Sequence, residues 1–327
     1  MIIIVIIIFV VGIFAYILLN SIYRRSVAYK NANAAILKYQ KEIPKKLQIV
    51  NFGSTYSMYA FNCYDELRIN AFNFAIDAQS LEMDERLLKK YAFHIASGAT
   101  VIFGLAACVT YYRYSMVSNK ARYYEFLNKK DIPNYSLPCA LRHYFPLSIG
   151  RLKSMIGVII RGQEVNDIYA GYPTVLSREA MEINMQRMAD GWINLFHLKN
   201  LKQKDENKEN EQNKVSNTKL LRSMLEFCID KGWKPVVVIT PFSEILNNYF
   251  GEEFIDSSLG EMVNKASEGL GVDILDYRTH PSFLQDYSSF WDGGFKLNKK
   301  GSIRFVKLVL QDLNNRGYNL TNSTLAF

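Results

Sequence analysis

Histidine and cysteine are both scarce in this chain of 327 residues. The four histidines have no metal-ligand spacing, and the four cysteines form no Cys-x-x-Cys pair. Their positions are His94, His143, His197 and His280, and Cys63, Cys108, Cys139 and Cys228. We therefore predict no metal site and no cofactor, and we expect the thiols to be free and buried.

Charged side chains are absent from residues 1–23, which are apolar almost throughout. At a rise of about 1.5 Å per residue, a helix of this length is about long enough to cross a ~30 Å hydrocarbon layer. We predict a single-pass transmembrane anchor at 1–23 and a juxtamembrane stalk at 24–46. A cleaved signal peptide is the alternative, but the run exceeds the ~7–15 apolar residues of a signal sequence, and no small-x-small cleavage site follows it.

A dense stripe of arginine and lysine is also absent, although the net charge is +8. This pattern predicts no nucleic-acid partner and is compatible with a domain that rests near anionic lipid headgroups. Arg24, Arg25 and Lys30 follow the predicted span. The positive-inside rule, taken literally, places the domain after the span in the cytoplasm.

Residues 47–327 are predicted to form one large α/β domain. Apolar runs predict strands, and apolar residues at helical spacing predict helices. The predicted strands are 47–52, 68–76, 99–108, 234–239 and 271–277, and the predicted helices are 27–41, 81–95, 219–231, 259–270 and 299–314. Strands that alternate with helices predict a doubly wound, mostly parallel sheet.

Two regions depart from this alternation. Residues 117–201 have an irregular helical pattern with many aromatic side chains. We expect them to form a helical lid over the carboxyl ends of the strands, where open α/β sheets bind ligands. Residues 202–218 have almost no apolar side chain, which predicts a disordered, solvated loop.

The segment Gly53-Ser54-Thr55, which ends the first predicted strand, is the strongest indication of chemistry. Gly53 can adopt backbone angles forbidden to other residues, and a following helix would offer free N–H groups to a developing oxyanion. Hydrolases place a nucleophilic hydroxyl in such a turn. An ordinary turn with a helix cap is the alternative interpretation.

A second stretch, residues 290–302, reads Phe-Trp-Asp-Gly-Gly-Phe-Lys-Leu-Asn-Lys-Lys-Gly-Ser. Together with the Gly-Ser-Thr turn and stretches 73–81 and 234–243, it resembles the SGNH/GDSL-type hydrolases. More narrowly, the chain is similar to membrane-anchored SGNH-like proteins of bacterial cell-surface polysaccharide systems, a group similar to the D-alanine transfer protein of teichoic acids. The resemblance implies a flavodoxin-like fold and an extracytoplasmic domain, opposite to the side that the flanking charges indicate.

The family's catalytic residues carry over only in part. Thr55 falls on the nucleophile, which is a serine in the family, and Lys296 stands where the catalytic histidine belongs. Gly293 occupies the position of the aspartate, and a one-residue shift assigns the orienting acid to Asp292. The base is then Lys296 or, alternatively, His280. Lysine begins with a pKa near ~10.4 and would need strong desolvation to act as a base.

The resemblance also implies a substrate pocket next to the nucleophile. Its predicted members are Gly53, Ser54, Ala78 and Gln79, whose polar groups would face a carbonyl or sugar oxygen, and Trp291, which would stack on a sugar ring. Aromatic packing is the alternative role for Trp291.

Two functions remain open at this point. The first is an acyl esterase or O-acyltransferase that acts on a cell-envelope polysaccharide through a degenerate active site. The second is a non-catalytic relative that binds an acylated glycan or partners an integral-membrane acyltransferase. Both depend on the family resemblance.

Overall fold

The computed structural model describes residues 2–118, 120–148, 176–318 and 320. Contacts divide the chain into two compact units, Met1–Glu42 with Ser118–Gly171 and Ile43–Val117 with Tyr172–Phe327. We call the first the N-terminal unit and the second the sheet unit. The predicted insertion at 117–201 is thus divided between them, and its residues 149–175 lie outside the described residues.

The sheet unit is built on parallel strands. They are β1 (Leu47–Gly53), β2 (Ala71–Asn73), β3 (Ile95–Leu105), β4 (Lys234–Ile239) and β5 (Asp273–Asp276). All neighbouring strands are parallel, and their order is β2-β1-β3-β4-β5. The predicted α/β class with a mostly parallel sheet is confirmed. In a sheet of this order the chain winds away from β1 and β3 in opposite directions, and ligands bind at the carboxyl ends of these two strands.

Helices occupy much of the remaining described chain. The α-helices are α1 (Ile2–Arg25), α2 (Val27–Ala32), α3 (Ala34–Leu37), α4 (Thr55–Ala60), α5 (Leu81–Tyr91), α6 (Leu137–Tyr144), α7 (Arg178–Phe196), α8 (Lys208–Asp230), α9 (Glu244–Asn247), α10 (Glu252–Ile255), α11 (Glu261–Ser267), α12 (Pro281–Leu284) and α13 (Lys299–Asn315). Short 3-10 turns lie at Lys38–Gln40, Ala92–His94, Ala107–Tyr111, Tyr114–Met116, Lys120–Glu125, Lys129–Asp131, Pro146–Ser148 and Tyr287–Ser289, and a π-helical turn lies at Asp256–Gly260.

The central strands carry apolar side chains on both faces, as expected of a sheet that is covered on both sides. Val236, Val237 and Val238 follow one another in β4, and all three are fully buried. On one face, Val236 and Val238 belong to a core cluster that includes Phe305 and Val309 of α13. The sheet unit is therefore held mainly by apolar burial, which contributes roughly 25 cal/mol per Å² of apolar surface removed from water.

Helix α1 is exposed and apolar. It has 24 residues, its best 18-residue window has a mean hydropathy of 3.4, and none of that window is buried. Among the described residues it is the one helix long and apolar enough to cross a membrane.

Polar contacts join distant stretches within the N-terminal unit. The Glu125 carboxylate lies 2.7 Å from His143 Nε2 and 3.3 Å from Arg24 Nη2. It also accepts a hydrogen bond from Gln40 Nε2 at 2.5 Å. These partners, led by the hydrogen bond with His143, lower the pKa of Glu125 to about 2 against the opposing effect of burial.

The predicted disordered loop at 202–218 is wrong from residue 208 onward, because α8 begins there. Asn207 caps the helix by accepting a hydrogen bond from Glu209 N at 2.9 Å. Asn210, Lys214 and Asn217, whose polarity predicted solvation, are buried and donate hydrogen bonds to backbone carbonyls of neighbouring segments. Ordering the segment therefore satisfies buried acceptors.

Candidate active site

The turn after β1 is shaped by two glycines at the carboxyl edge of the sheet. Gly53 and Gly104 are register partners at the ends of β1 and β3. A Cβ on either residue would overlap the Ser57 side chain, and Gly53 has φ +129. Because both positions lack a Cβ, α4 can begin at Thr55, directly against the strand ends.

A buried polar network fixes the first turn of α4 to the sheet. The Ser57 hydroxyl donates to Phe52 O at 2.8 Å and accepts from Asn51 Nδ2 at 3.0 Å. Asn51 Nδ2 also donates to Asn73 Oδ1 at 2.9 Å, and Asn73 Nδ2 donates to Met58 O at 2.9 Å. The network joins β1, β2 and α4. These hydrogen bonds therefore fix the position of the turn relative to the sheet.

The structure brings the predicted Gly-Ser-Thr turn against the segment that follows β2. Ala78 N donates to Thr55 Oγ1 at 3.1 Å, and Gln79 N donates to Ser54 Oγ at 3.1 Å. Ala78 holds a left-handed conformation with φ +48, which is unfavourable for a residue with a Cβ. Two backbone amides thus point at the two hydroxyls of the turn.

The Asp84 carboxyl group is hydrogen-bonded to both sides of this turn, and the sequence did not lead us to predict this role. Its Oδ1 accepts hydrogen bonds from Gly53 N at 2.9 Å and from Gln79 Nε2 at 2.5 Å. Burial raises the pKa of the Asp84 carboxyl to about 7, and the hydrogen bonds from Gln79 and Gly53 oppose that rise. The available signal was an acidic residue on the apolar stripe of α5, between Leu81 and Leu87.

Asp84 also changes the roles predicted for two pocket residues. The amide of Gly53 and the side-chain NH₂ of Gln79 both point at this carboxyl and not at open space. Gln79 is 1% exposed. In this conformation, the Thr55 hydroxyl accepts a hydrogen bond from the Ala78 amide instead.

A second cluster forms in the loop before α13. Asp292 Oδ1 accepts hydrogen bonds from the backbone N–H groups of Gly294, Phe295 and Lys296 at 3.0, 3.2 and 3.1 Å. The other oxygen, Oδ2, has no hydrogen-bond partner and lies 3.9 Å from Lys296 Nζ. Burial raises the pKa of Asp292, while Lys296 and the three N–H groups oppose that rise.

Lys296 is held by aromatic rings as well as by this carboxyl. Its Nζ lies 4.5 Å from the centre of the Trp291 ring and 5.4 Å from that of Phe295. Such cation–π contacts stabilise an ammonium group. The Lys296 ammonium group thus lies among the Asp292 carboxyl and the rings of Trp291 and Phe295.

The two clusters approach each other along α4. Trp291 packs edge-to-face on Tyr59, with ring centres 5.5 Å apart, and Tyr59 lies one helical turn beyond Thr55 on the same face of α4. The Ser302 hydroxyl of α13 donates to Ala60 O, the last residue of α4, at 2.9 Å. The loop that carries Asp292 and Lys296 thus packs on the helix that begins with Thr55.

His280, the alternative base, lies in a different turn. Its Nδ1 accepts a hydrogen bond from Ser282 N at 3.2 Å and caps α12. Its ring packs near Tyr277 and Phe283, with centres 5.8 and 6.2 Å away. These contacts give His280 a structural role in its own turn.

Helix α7, from the predicted lid, packs on the Asp292 loop. A Cβ on Gly293 would overlap Met181, and one on Gly294 would overlap the Met185 side chain. The two glycines therefore allow α7 to approach the loop closely. Within the described residues, no group of three or more His, Cys, Asp or Glu side chains could hold a metal ion.

Comparisons with known proteins add a distant structural likeness. No family model matches the chain, and no curated protein matches it. A solved structure from Bacteroides fragilis NCTC 9343, described as a "putative acylhydrolase", is similar with a TM-score of 0.41 and 9% sequence identity. The match covers 89% of this chain and 98% of that one.

Proposed function

We propose that this protein is a membrane-anchored, SGNH-hydrolase-like acyl esterase or acyltransferase that acts on an acylated cell-envelope polysaccharide. In this proposal α1 is a single membrane span and the sheet unit works on the extracytoplasmic side. The observation that carries the proposal is the 3.1 Å contact between the Ala78 amide and the Thr55 hydroxyl. It lies where a sheet of this strand order binds ligands.

The proposed reaction uses Thr55 as the nucleophile. Thr55 Oγ1 adds to the carbonyl carbon of an acyl ester and loses its proton to a base, and the sugar alcohol leaves with a proton. The acyl-threonine that results is then attacked by water, or by a second hydroxyl if the acyl group is transferred. The Ala78 N–H is close enough to the hydroxyl to stabilise the oxyanion formed on the carbonyl oxygen.

Lys296, in its neutral form, would be the base of this reaction, with Asp292 as the orienting acid. A lysine base occurs in Ser–Lys enzymes. The 3.9 Å separation between Lys296 Nζ and Asp292 Oδ2 supports the pairing of these two groups.

A second candidate function is favoured by the same lysine. An ammonium held between a carboxylate and the Trp291 ring is stabilised as a cation, and a cation cannot accept the threonine proton. In this alternative the site binds an acylated glycan without cleaving it, or the protein assists an integral-membrane acyltransferase. Trp291, whose side chain is partly exposed, then stacks on a sugar ring.

Active-site labelling distinguishes the two functions. We expect a fluorophosphonate probe to label the full-length protein in detergent or bilayers, and we expect Thr55→Ala to abolish the labelling. Thr218→Ala removes a threonine hydroxyl on α8, outside the site, and serves as the matched control, which should keep the label. Lys296→Met should lower esterase activity on acetylated polysaccharide by about 10⁴-fold, as in triad deletions.

The opposite pattern would refute the catalytic proposal. If the wild-type protein is not labelled, yet binds acetylated polysaccharide equally well with and without Thr55→Ala, the site is a binding site. Loss of that binding in Trp291→Ala would then assign recognition to the indole ring.

A further inference from the structure

Helix α6 exposes an apolar stripe. Leu137, Leu141 and Tyr144 are 62, 48 and 49% exposed, respectively. Their spacing of four and three residues places them on one face of the helix. Ala140 and His143, on the adjoining face of the helix, are buried. The apolar face of α6 is therefore turned outward, the reverse of the usual arrangement in water.

This stripe lies beside the exposed helix α1, within the same N-terminal unit. Asn20 Nδ2 donates to Tyr144 O at 2.8 Å, and Leu147 N donates to Asn20 Oδ1 at 3.4 Å. The rings of Tyr16 and Phe145 stack with centres 6.0 Å apart. At about 1.5 Å per residue, Asn20 lies about 6 Å and Tyr16 about 12 Å along α1 from Arg24. The C-terminal end of α6 thus contacts α1 within its apolar segment, N-terminal to the charged residues Arg24 and Arg25.

Asn20 explains how the backbone at the end of α6 is accommodated there. A polar side chain within an apolar span is unfavourable unless it has a partner, and backbone groups in lipid must be satisfied within the protein. Asn20 is buried, and its two amide atoms satisfy the Tyr144 carbonyl and the Leu147 N–H. This arrangement suits a place where water is scarce.

The net positive charge of the N-terminal unit also favours a position at a lipid surface. Its described residues contain ten basic side chains against three acidic ones, a net charge of +7 out of +8 for the whole chain. The basic residues are Arg24, Arg25, Lys30, Lys38, Lys41, Lys120, Arg122, Lys129, Lys130 and Arg142, and the acidic ones are Glu42, Glu125 and Asp131. Basic residues next to a span are attracted to anionic lipid headgroups by about 1 kcal/mol each.

We propose that α6 is a second membrane contact, which lies in the lipid–water interface with Leu137, Leu141 and Tyr144 in the acyl-chain region. The exposed Arg142 extends from the edge of the stripe to the headgroups. An interfacial helix of this kind inserts its apolar face by roughly 5–10 Å. The inference rests on the proposed function only in requiring that α1 spans the bilayer.

Depth-dependent quenching tests the proposal on the full-length protein. Single tryptophans are introduced by Leu141→Trp and Tyr144→Trp, and the emission gained over wild type is compared in phosphatidylglycerol-containing nanodiscs with and without brominated acyl chains. Phe14→Trp in α1 gives the scale for a residue in lipid. Val215→Trp is the matched control, because Val215 is 45% exposed on the charged first half of α8.

We expect quenching at positions 14, 141 and 144 and none at 215. Quenching at 14 without quenching at 141 and 144 would overturn the second contact and leave the anchor intact. Absence of quenching at 14 would overturn the anchor itself, and the inference with it. Equal quenching at 215 and 141 would also overturn the inference, because contact with lipid would then not be specific to α6.

Discussion

The sheet unit and the N-terminal unit are stabilised by different interactions. Val236, Val237 and Val238 in the sheet unit are fully buried, and the core is apolar. In the N-terminal unit the distant stretches meet through Asn20 and Glu125, while apolar side chains of α1 and α6 face outward. The sheet unit buries its apolar side chains in a core. The N-terminal unit exposes them and, in our proposal, places them against a lipid surface.

The difference extends to pH. Asp84 in the sheet unit has a pKa raised to about 7, so the folded state holds a proton that the unfolded chain releases above its ordinary pKa of 3.8. The contribution of Asp84 to stability therefore falls as pH rises from about 4 to about 7. Glu125 has a pKa lowered to about 2 from 4.5, so its contribution is lost as pH falls through that range. These two carboxyl groups thus change stability with pH in opposite directions.

The largest loss of stability is expected at Gly53 of the sheet unit, where there is no space for a side chain. In Gly53→Ala, the new Cβ would collide with the backbone oxygen of Gly104, and φ +129 would become strained. We expect the free energy of unfolding to fall by roughly 3–5 kcal/mol, from overpacking and strain together. Gly98→Ala is the control, since Gly98 has φ +73 and open space. Equal losses in urea denaturation of the two variants would contradict the packing argument.

The N-terminal unit should be most sensitive at Glu125. Glu125→Ala leaves the buried His143 and the nearby Arg24 without their carboxylate, and we expect a loss of about 3 kcal/mol. Hydrogen exchange should rise in α6 and in the Lys120–Glu125 turn more than in β1–β4. Glu125→Gln keeps a hydrogen-bond acceptor and should lose less. A uniform rise across both units would show that they do not unfold separately.

Asp84→Asn tests the pH response expected of the Asp84 carboxyl group. Asparagine keeps the oxygen that accepts from Gly53 N and removes the buried ionisable group. We expect the variant to exceed the wild type by about 2 kcal/mol at pH 8 and to match it near pH 4. Thermal unfolding measured across pH 4–8 checks the slope. A variant that is less stable at both pH values would mean that Asp84 is needed in its charged form.

The smallest effect concerns left-handed backbone in the two units. Ala78→Gly relieves φ +48 next to Thr55, and we expect a gain of less than about 1 kcal/mol, because glycine also gains entropy in the unfolded chain. Asn134→Gly in the N-terminal unit, at φ +50, should gain less, since asparagine tolerates this conformation better than alanine. Equal melting-temperature shifts would show that Ala78 carries no particular strain.

The sheet could be predicted from the sequence because its signal is local. The run that forms β4 is apolar from Pro235 to Ile239, and its predicted bounds agree with the structure. For β2 the prediction of 68–76 was too long, since pairing with β1 covers only Ala71–Asn73. The ends of a strand depend on where its partner strand pairs with it, and the local sequence does not contain this information.

The remainder depends on partners that are distant along the chain. Residues 208–218 looked solvated because Asn210, Lys214 and Asn217 are polar, yet their partners are carbonyl groups elsewhere in the sheet unit. In the same way Asp84 has a role only because Gly53 and Gln79 point at it. The turn at Thr55 was predictable from the apolar run of β1 and the glycine, Gly53, that follows it. The assignment of its catalytic partners stays a prediction.

The hydrogen bond from Ser302 to Ala60 O has a consequence for biosynthesis. It joins residues 242 positions apart, and the loop with Trp291 and Asp292 lies just before its C-terminal member. A nascent polypeptide that has left the ribosome as far as β4 can pair its central strands but lacks that loop. The contact between this loop and α4 therefore forms only after Ser302 has been translated, long after α4 itself.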